Sequence, residues 1–125
     1  MKKIINYKNA PAPIGPYSQA VLKNGTLYAS GQIAINPSNN QLVINSIEEE
    51  TKQVMENVKN VLQAADMDFS NLVKCSIFLS DMKYFDAINN VYASYFDENP
   101  PARETVAVQG LPKNVNIEIS FIAVE

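Results

Sequence analysis

The chain contains no histidine. That absence removes every Ser-His and Cys-His nucleophile pair and every imidazole metal ligand. A general base here must be a carboxylate, a backbone group or an activated water. Cysteine occurs once, as Cys75, so no internal disulfide can form. Cys75 alternates with Val73 and Ile77, as a small core hydrophobe would, and no histidine is present to activate it as a nucleophile. Arginine also occurs once, as Arg103. Any bidentate grip on a carboxylate therefore falls to that side chain. Basic charge is scarce overall, with 10 Lys and Arg against 13 Asp and Glu, a net charge of −3 and a pI near 4.9. Phosphate-binding surfaces need clustered Lys and Arg, so nucleic acid is not an expected partner. No apolar run approaches the roughly 20 residues of a membrane span, and Met1-Lys2-Lys3 turns polar at Asn6 before any secretory apolar stretch. With one free cysteine, these absences predict a soluble cytoplasmic protein.

What is present suits one domain over residues 1–125: 46% of the residues are hydrophobic, and no repeat, linker or low-complexity tract interrupts them. The spacing predicts a helix over Ile47–Ala65. Ser46 and Glu49 have the spacing of a capping box, and Glu48, Glu49 and Glu50 sit where the helix dipole favours negative charge. Ile47, Val54, Met55, Val58, Val61, Leu62 and Ala65 form its apolar stripe. A second helix is predicted from Met82 to Phe96, capped by Asp81, with Phe85, Ile88, Tyr92, Tyr95 and Phe96 on its buried face. Pro100-Pro101 stop it. The tyrosines fit helix core better than a stacking platform for bases.

The remainder reads as strand. Ala20–Lys23 and Thr26–Ala29 flank Asn24-Gly25, a strong two-residue hairpin signal. Further strands are predicted at Val73–Leu79, Glu104–Gln109 and Val115–Val124. Hairpin, helix, strand, helix and two strands give an α+β fold with two helices on one face of a mixed sheet. The strands carry apolar residues on both faces: Phe78 lies opposite Cys75 and Ile77, and Ile122 opposite Phe121. No third layer is available to cover the second face, so self-association is the economical way to bury it.

Candidate functional residues follow. Arg103 comes directly after Pro100-Pro101-Ala102, whose prolines stiffen the entry to its strand, and Thr105, Ala107 and Gln109 share its face. Either it is a rigidly presented carboxylate clamp or a surface arginine at a strand edge. Glu118 is flanked on its face by Asn116 and Ser120. It is either part of a solvated polar face or a carboxylate that holds a water or a substrate nitrogen. If the last two strands pair, Arg103 and Glu118 come together, though the register is not legible. Ile14-Gly15-Pro16-Tyr17-Ser18-Gln19, preceded by Pro11 and Pro13, makes a constrained loop from which Tyr17 could reach a ligand. In Ser30-Gly31-Gln32, Gly31 permits close backbone approach, and Ser30 with the adjacent amides could donate hydrogen bonds.

Taken in order, Ile14-Gly15-Pro16-Tyr17-Ser18-Gln19, Ser30-Gly31-Gln32-Ile33, Pro101-Ala102-Arg103, Leu111-Pro112 and Ile117-Glu118-Ile119 resemble the successive signature blocks of the RidA/YjgF family, over nearly the whole chain. The resemblance implies a chorismate-mutase-like α+β fold and a homotrimer with three ligand clefts between subunits. It implies a deaminase that hydrolyses 2-iminobutanoate and 2-iminopropanoate, the latter also formed from 2-aminoacrylate, to 2-keto acids and ammonia without metal or organic cofactor. In that reading Arg103 grips the substrate carboxylate and Glu118 helps place the attacking water. Tyr17, Ser30 and Gly31 line the cleft, as does Asn89. Many members carry Ser-Cys after the arginine, where this chain has Glu104-Thr105. Main-chain groups of Thr105 could still bind substrate, but thiol chemistry there is lost.

The chemistry is compatible with so sparse a set of groups. An imine carbon is already electrophilic, and orienting a small anion and one water supplies several kcal/mol toward the barrier. Two alternatives use the same features. One is a non-catalytic protein that binds 2-keto acids in a regulatory role. The other is an RNA-cleaving translation inhibitor, against which the acidic charge and missing histidine argue.

Overall fold

A computed structural model describes residues 1–125. The strands are β1 (Lys3–Ile5), β2 (Ala20–Lys23), β3 (Thr26–Gln32), β4 (Ile35–Asn36), β5 (Gln41–Leu42), β6 (Leu72–Leu79), β7 (Ala102–Ala107) and β8 (Ile117–Val124). The helices are α1 (Ile47–Ala64) and α2 (Phe85–Ala93). Six strands form one mixed sheet in the order β1-β2-β3-β8-β6-β7, and β4-β5 is a separate small hairpin. β6 and β7 run parallel, joined by a crossover that contains α2; the other pairings are antiparallel.

Local chemistry explains most of these elements. At the β2-β3 turn Asn24 and Gly25 both have positive φ, 51° and 77°, as a two-residue primed turn requires. Ser46 Oγ accepts the Glu49 N–H at 3.1 Å and starts α1. Val54, Met55, Val58, Val61 and Leu62 then fall along one buried stripe of that helix. They pack on Leu27 of β3, Cys75, Ile77 and Leu79 of β6, and Ile117, Ile119, Phe121 and Ala123 of β8, in one core. Truncating a fully buried member such as Leu62 or Met55 to alanine would cost about 2–5 kcal/mol.

Several expectations need correction. β7 does not pair with β8: β6 lies between them and pairs with both. The second helix ends at Ala93 because Ser94 begins a tighter turn. Tyr95 and Phe96 lie past its end, where Phe69 and Tyr92 hold them by aromatic contacts with centroids 4.9–5.8 Å apart. Asp81 caps only a short 3-10 turn before α2, accepting the Lys83 N–H at 2.8 Å. β8 begins at Ile117, later than predicted, and β7 spans Ala102–Ala107. Val73 is 47% exposed, because a register shift between Leu72 and Lys74 turns Leu72 inward instead. The reading also missed β1 and the β4-β5 hairpin.

The sheet face away from the helices carries two separate apolar rows, Ile4, Val21, Tyr28 and Ile122 across β1, β2, β3 and β8, and Phe78 with Val106 on β6 and β7. Tyr28 is 51% and Val106 44% exposed. At the β6-β7 end of this face, Ser76 and Lys74 of β6 both engage the Glu104 carboxylate, Lys74 at 2.8 Å.

Candidate functional site

The proposed site residues fall into two groups. The first lies at the β3-β8 seam. Ser30 and Gly31 sit where the β3-β8 register shifts between Ala29 and Gln32, and the Pro-rich loop before β2 folds over them. Its anchors are specific. Ser30 Oγ donates to Ser18 O at 2.6 Å, Ser30 N–H to Gln19 O at 2.9 Å, and Gln19 Nε2 to Pro11 O at 2.9 Å. Both Ser30 donors are therefore committed to the loop, contrary to the expectation that they were free for a ligand. Its hydroxyl lone pairs can only accept. Ile14, Tyr17, Ser30, Gly31, Ile33, Pro112 and Glu118 line a cleft of about 340 Å3 here, into which Tyr17 is half exposed.

Gly31 has a different use from the expected one. A Cβ at Gly31 would overlap the Glu118 carboxyl, and even the Glu118 Cγ is only 2.7 Å from that position. Glycine thus leaves the space that the Glu118 carboxyl fills. Half-buried there, Glu118 has its pKa raised by burial, with no cation or donor offsetting the effect. A carboxylate in that condition takes up a proton from water more readily than an exposed one.

The second group lies across the sheet. Arg103 pairs with Cys75 on β6, whereas Glu118 pairs with Phe78. Cys75 and Phe78 are three residues apart on one strand, so their partners point to opposite faces. Arg103 therefore turns toward α2. One Nη donates to Asn89 Oδ1, and the guanidinium lies 5.0 Å from the Tyr92 ring centroid and 5.7 Å from that of Phe85. The only ion pair in the chain is Lys74–Glu104, which leaves Arg103 without an anion. Asn89, Tyr92, Phe96, Pro101 and Arg103 contribute to a second cleft, of about 480 Å3. Asn89, on α2, thus serves first as an orienter of Arg103. Thr105 shares the face of Arg103 but lines neither cleft, and its Oγ1 is buried without a partner. Cys75 is buried beneath this group, as expected of a core residue, and burial raises its thiol pKa.

Within one chain, then, Tyr17, Ser30, Gly31 and Glu118 share one cleft, and Asn89 and Arg103 share another. The expected meeting of Arg103 and Glu118 through paired last strands does not occur. The sequence reading also missed Glu50. It is fully buried, and its carboxylate accepts from Asn116 N at 2.7 Å, Ile117 N at 3.1 Å and Asn116 Nδ2 at 3.0 Å. Nothing in the run Glu48-Glu49-Glu50 marks its third member as different. The only available signal was its place on the side of α1 that carries Val54 and Val58, one turn and two turns on.

Residues 7–125 match the profile of the family described as Endoribonuclease L-PSP. The chain belongs to this family, also called RidA/YjgF. Its relatives include human 2-iminobutanoate/2-iminopropanoate deaminase, 44% identical over all of this chain and 91% of that protein. Another is a Lactococcus lactis protein named as a candidate regulator, AldR, 50% identical over 97% of this chain and 96% of that one. Among solved structures, a Rid-family protein of unknown function from Yersinia pestis is 47% identical and covers both chains completely, with a TM-score of 0.95. The Escherichia coli TdcF structure, which contains bound serine, has a TM-score of 0.93 at 36% identity over 98% of each chain. The mixed sheet with two helices is thus the RidA fold. No helix in this member is long and apolar enough to cross a membrane.

Proposed function

We propose that this RidA-family chain is a 2-iminobutanoate/2-iminopropanoate deaminase, a cofactor-free hydrolase that converts reactive 2-imino acids to 2-keto acids and ammonia. The observation that carries this reading is the state of Arg103: the chain's single guanidinium, held by Asn89 and two aromatic rings, with no anion of its own. A small carboxylate is the ligand such a fork suits. Relatives at 44–46% identity named as this deaminase support the reading, as does the serine, another small carboxylate, in the TdcF structure.

The reaction needs one water and one proton relay. Arg103 holds the substrate carboxylate, with Asn89 keeping the fork aimed. Glu118 accepts a proton from water as the water oxygen bonds to the imine carbon. Glu118 passes that proton to the imine nitrogen, giving a neutral tetrahedral aminoalcohol. The hydroxyl proton then moves by way of Glu118 to the same nitrogen as the C–N bond breaks, the C=O bond forms and ammonia departs. Water and imine together balance keto acid and ammonia. Ser30 accepts a hydrogen bond within the cleft and Tyr17 covers it; Thr105, which lines neither cleft within one chain, would supply main-chain contacts only where the clefts of two copies meet.

Arg103 and Glu118 lie on opposite faces of one sheet, so we propose that the site is completed between copies in a homotrimer, the Arg103 cleft of one subunit meeting the Glu118 cleft of its neighbour. The apolar open sheet face supports this assembly.

A coupled assay tests the function. A threonine dehydratase generates 2-iminobutanoate in situ, and keto-acid release is followed as this protein is added. The expected outcome is a rate that rises in proportion to added protein. The regulator-like name of the Lactococcus relative favours one alternative, a protein that binds 2-keto acids without turnover. Calorimetric binding of 2-ketobutanoate with no acceleration of the assay would replace the deaminase with that alternative.

A further inference from the structure

We propose that Glu50 is a positioning residue for Glu118: from inside the core it clamps the backbone that enters β8 and so fixes where the Glu118 carboxyl sits. This inference rests on the proposed role of Glu118 and adds a residue that acts only through it.

The clamp is built from both sides. Before β8 the chain runs through Pro112–Asn114, where Lys113 and Asn114 each hold a φ of 55°. Non-glycine residues ordinarily prefer other backbone conformations, so this segment needs outside contacts to deliver Glu118 to one place. β3 cannot do this, because its pairing with β8 begins at Ile119, opposite Gln32. The N–H groups of Asn116 and Ile117 therefore have no strand on that side, although Ile117 is fully buried. Glu50 supplies the missing acceptor. Its Oε2 takes both N–H groups and its Oε1 takes the Asn116 side chain. On the other side, Ser80 N–H donates to Asn116 O at 3.0 Å and Ser80 Oγ to Asn116 Oδ1 at 2.8 Å. The residue before Ile117 is thus bound from α1 and from the end of β6, and Glu118 follows Ile117 directly.

The choice of residue fits this task. A buried carboxylate is costly unless several donors meet it, and here three do. Its place in the first turns of α1 adds the favourable field of the helix N-terminus. A glutamine would offer one oxygen in place of two and would set an amide N–H2 against at least one of the donors. Loosening β8 at Ile117 would move Glu118 within the 340 Å3 cleft that Pro112 of the same segment also lines. It would leave Arg103 untouched, because Arg103 is anchored on β7 and α2.

The test is steady-state hydrolysis of 2-iminobutanoate generated in situ, using the full-length wild type and its Glu50→Gln, Asn116→Asp and Glu118→Gln variants, with circular dichroism and Tm measured on each. Glu50→Gln is expected to lower kcat by about 10- to 100-fold, the scale of a misplaced reacting group, with KM changed by less than about 2-fold because the carboxylate grip persists. Its acid limb should also move toward the ordinary carboxylate range, as Glu118 leaves its buried seat. Asn116→Asp sets a second carboxylate against Glu50 and loosens the same clamp from the strand side, so it decides the question if Glu50→Gln does not fold. A folded clamp variant with a lower Tm but wild-type kcat, KM and pH profile, beside a crippled Glu118→Gln, overturns the positioning role. Wild-type kcat in Glu118→Gln would instead overturn the proposed role of Glu118 itself.

Discussion

Replacing Arg103 by alanine removes the only side chain able to form a bidentate pair with a carboxylate. Losing one member of a desolvated ion pair costs about 2–5 kcal/mol, or roughly 30-fold to several thousand-fold in kcat/KM. Lysine keeps the charge but not the fork, so Arg103→Lys should recover little. Circular dichroism should stay unchanged, since Arg103 lines a cleft and is absent from the core. Glu118→Gln should behave differently. Burial raises the Glu118 pKa, and for a group whose folded pKa lies above its unfolded value, the protonated form favours folding. Its contribution to stability is present at low pH and lost as pH rises through the folded pKa. At pH 7 the wild type carries that penalty and the glutamine variant does not. Glu118→Gln should therefore melt higher than wild type at pH 7, with the gap closing in acid, while keto-acid binding persists and turnover falls. A variant that melts lower at pH 7 would contradict the half-buried, uncompensated carboxylate. At this scale Arg103 was legible because it is unique in the chain. Glu50 was not, because burial of one member of an acidic run depends on what packs over it, which no local pattern encodes.

Among the elements, those with strong turn or cap signals were legible, while the short β4-β5 hairpin and the pairing of distant strands were not. The Asn24-Gly25 hairpin and the start of α1 follow from turn and cap chemistry and formed where expected, although of the expected capping box only the Ser46 half is made, its hydroxyl accepting from Glu49 N–H. The parallel partnership of β6 and β7 was hidden, because the crossover leaves no turn signature of register. Val73 fits the alternation of its strand, yet the register shift beside it turns it to solvent. The irregularity in β3 matters most for the site, since it sets Gly31 under the Glu118 carboxyl. Gly31→Ala should test that fit. The colliding atoms, Cγ, Cδ and Oε1, all belong to the half-exposed Glu118 side chain, so that side chain should swing away while the backbone holds. The expected result is a Tm near that of wild type and a fall in kcat approaching that of Glu118→Gln, measured in the coupled assay. Full activity in Gly31→Ala would show that Glu118 works from another position.

For the whole molecule, Arg103 and Glu118 lie on opposite faces of one sheet, and the proposed site between copies would make catalysis a property of the assembly. Light scattering in dilute buffer should report about three chains per particle, as expected of a closed cyclic oligomer. A mixing experiment goes further. Arg103→Ala and Glu118→Gln are each expected to be nearly inactive alone. If each working cleft takes its arginine from one subunit and its glutamate from the next, a hybrid trimer contains some clefts in which an intact Arg103 faces an intact Glu118. A hybrid made from two copies of one variant and one of the other has a single such cleft among its three, so about a third of the clefts in purified hybrids should work. Co-expressed variants, purified as hybrids by two different tags, should regain activity on that order, while the same variants purified separately and mixed without subunit exchange should not. If both residues of a working site came from one chain, no hybrid could contain an intact site and activity would stay at the level of the parents. Restored turnover would locate the site between copies, and its absence from verified hybrids would rule that arrangement out.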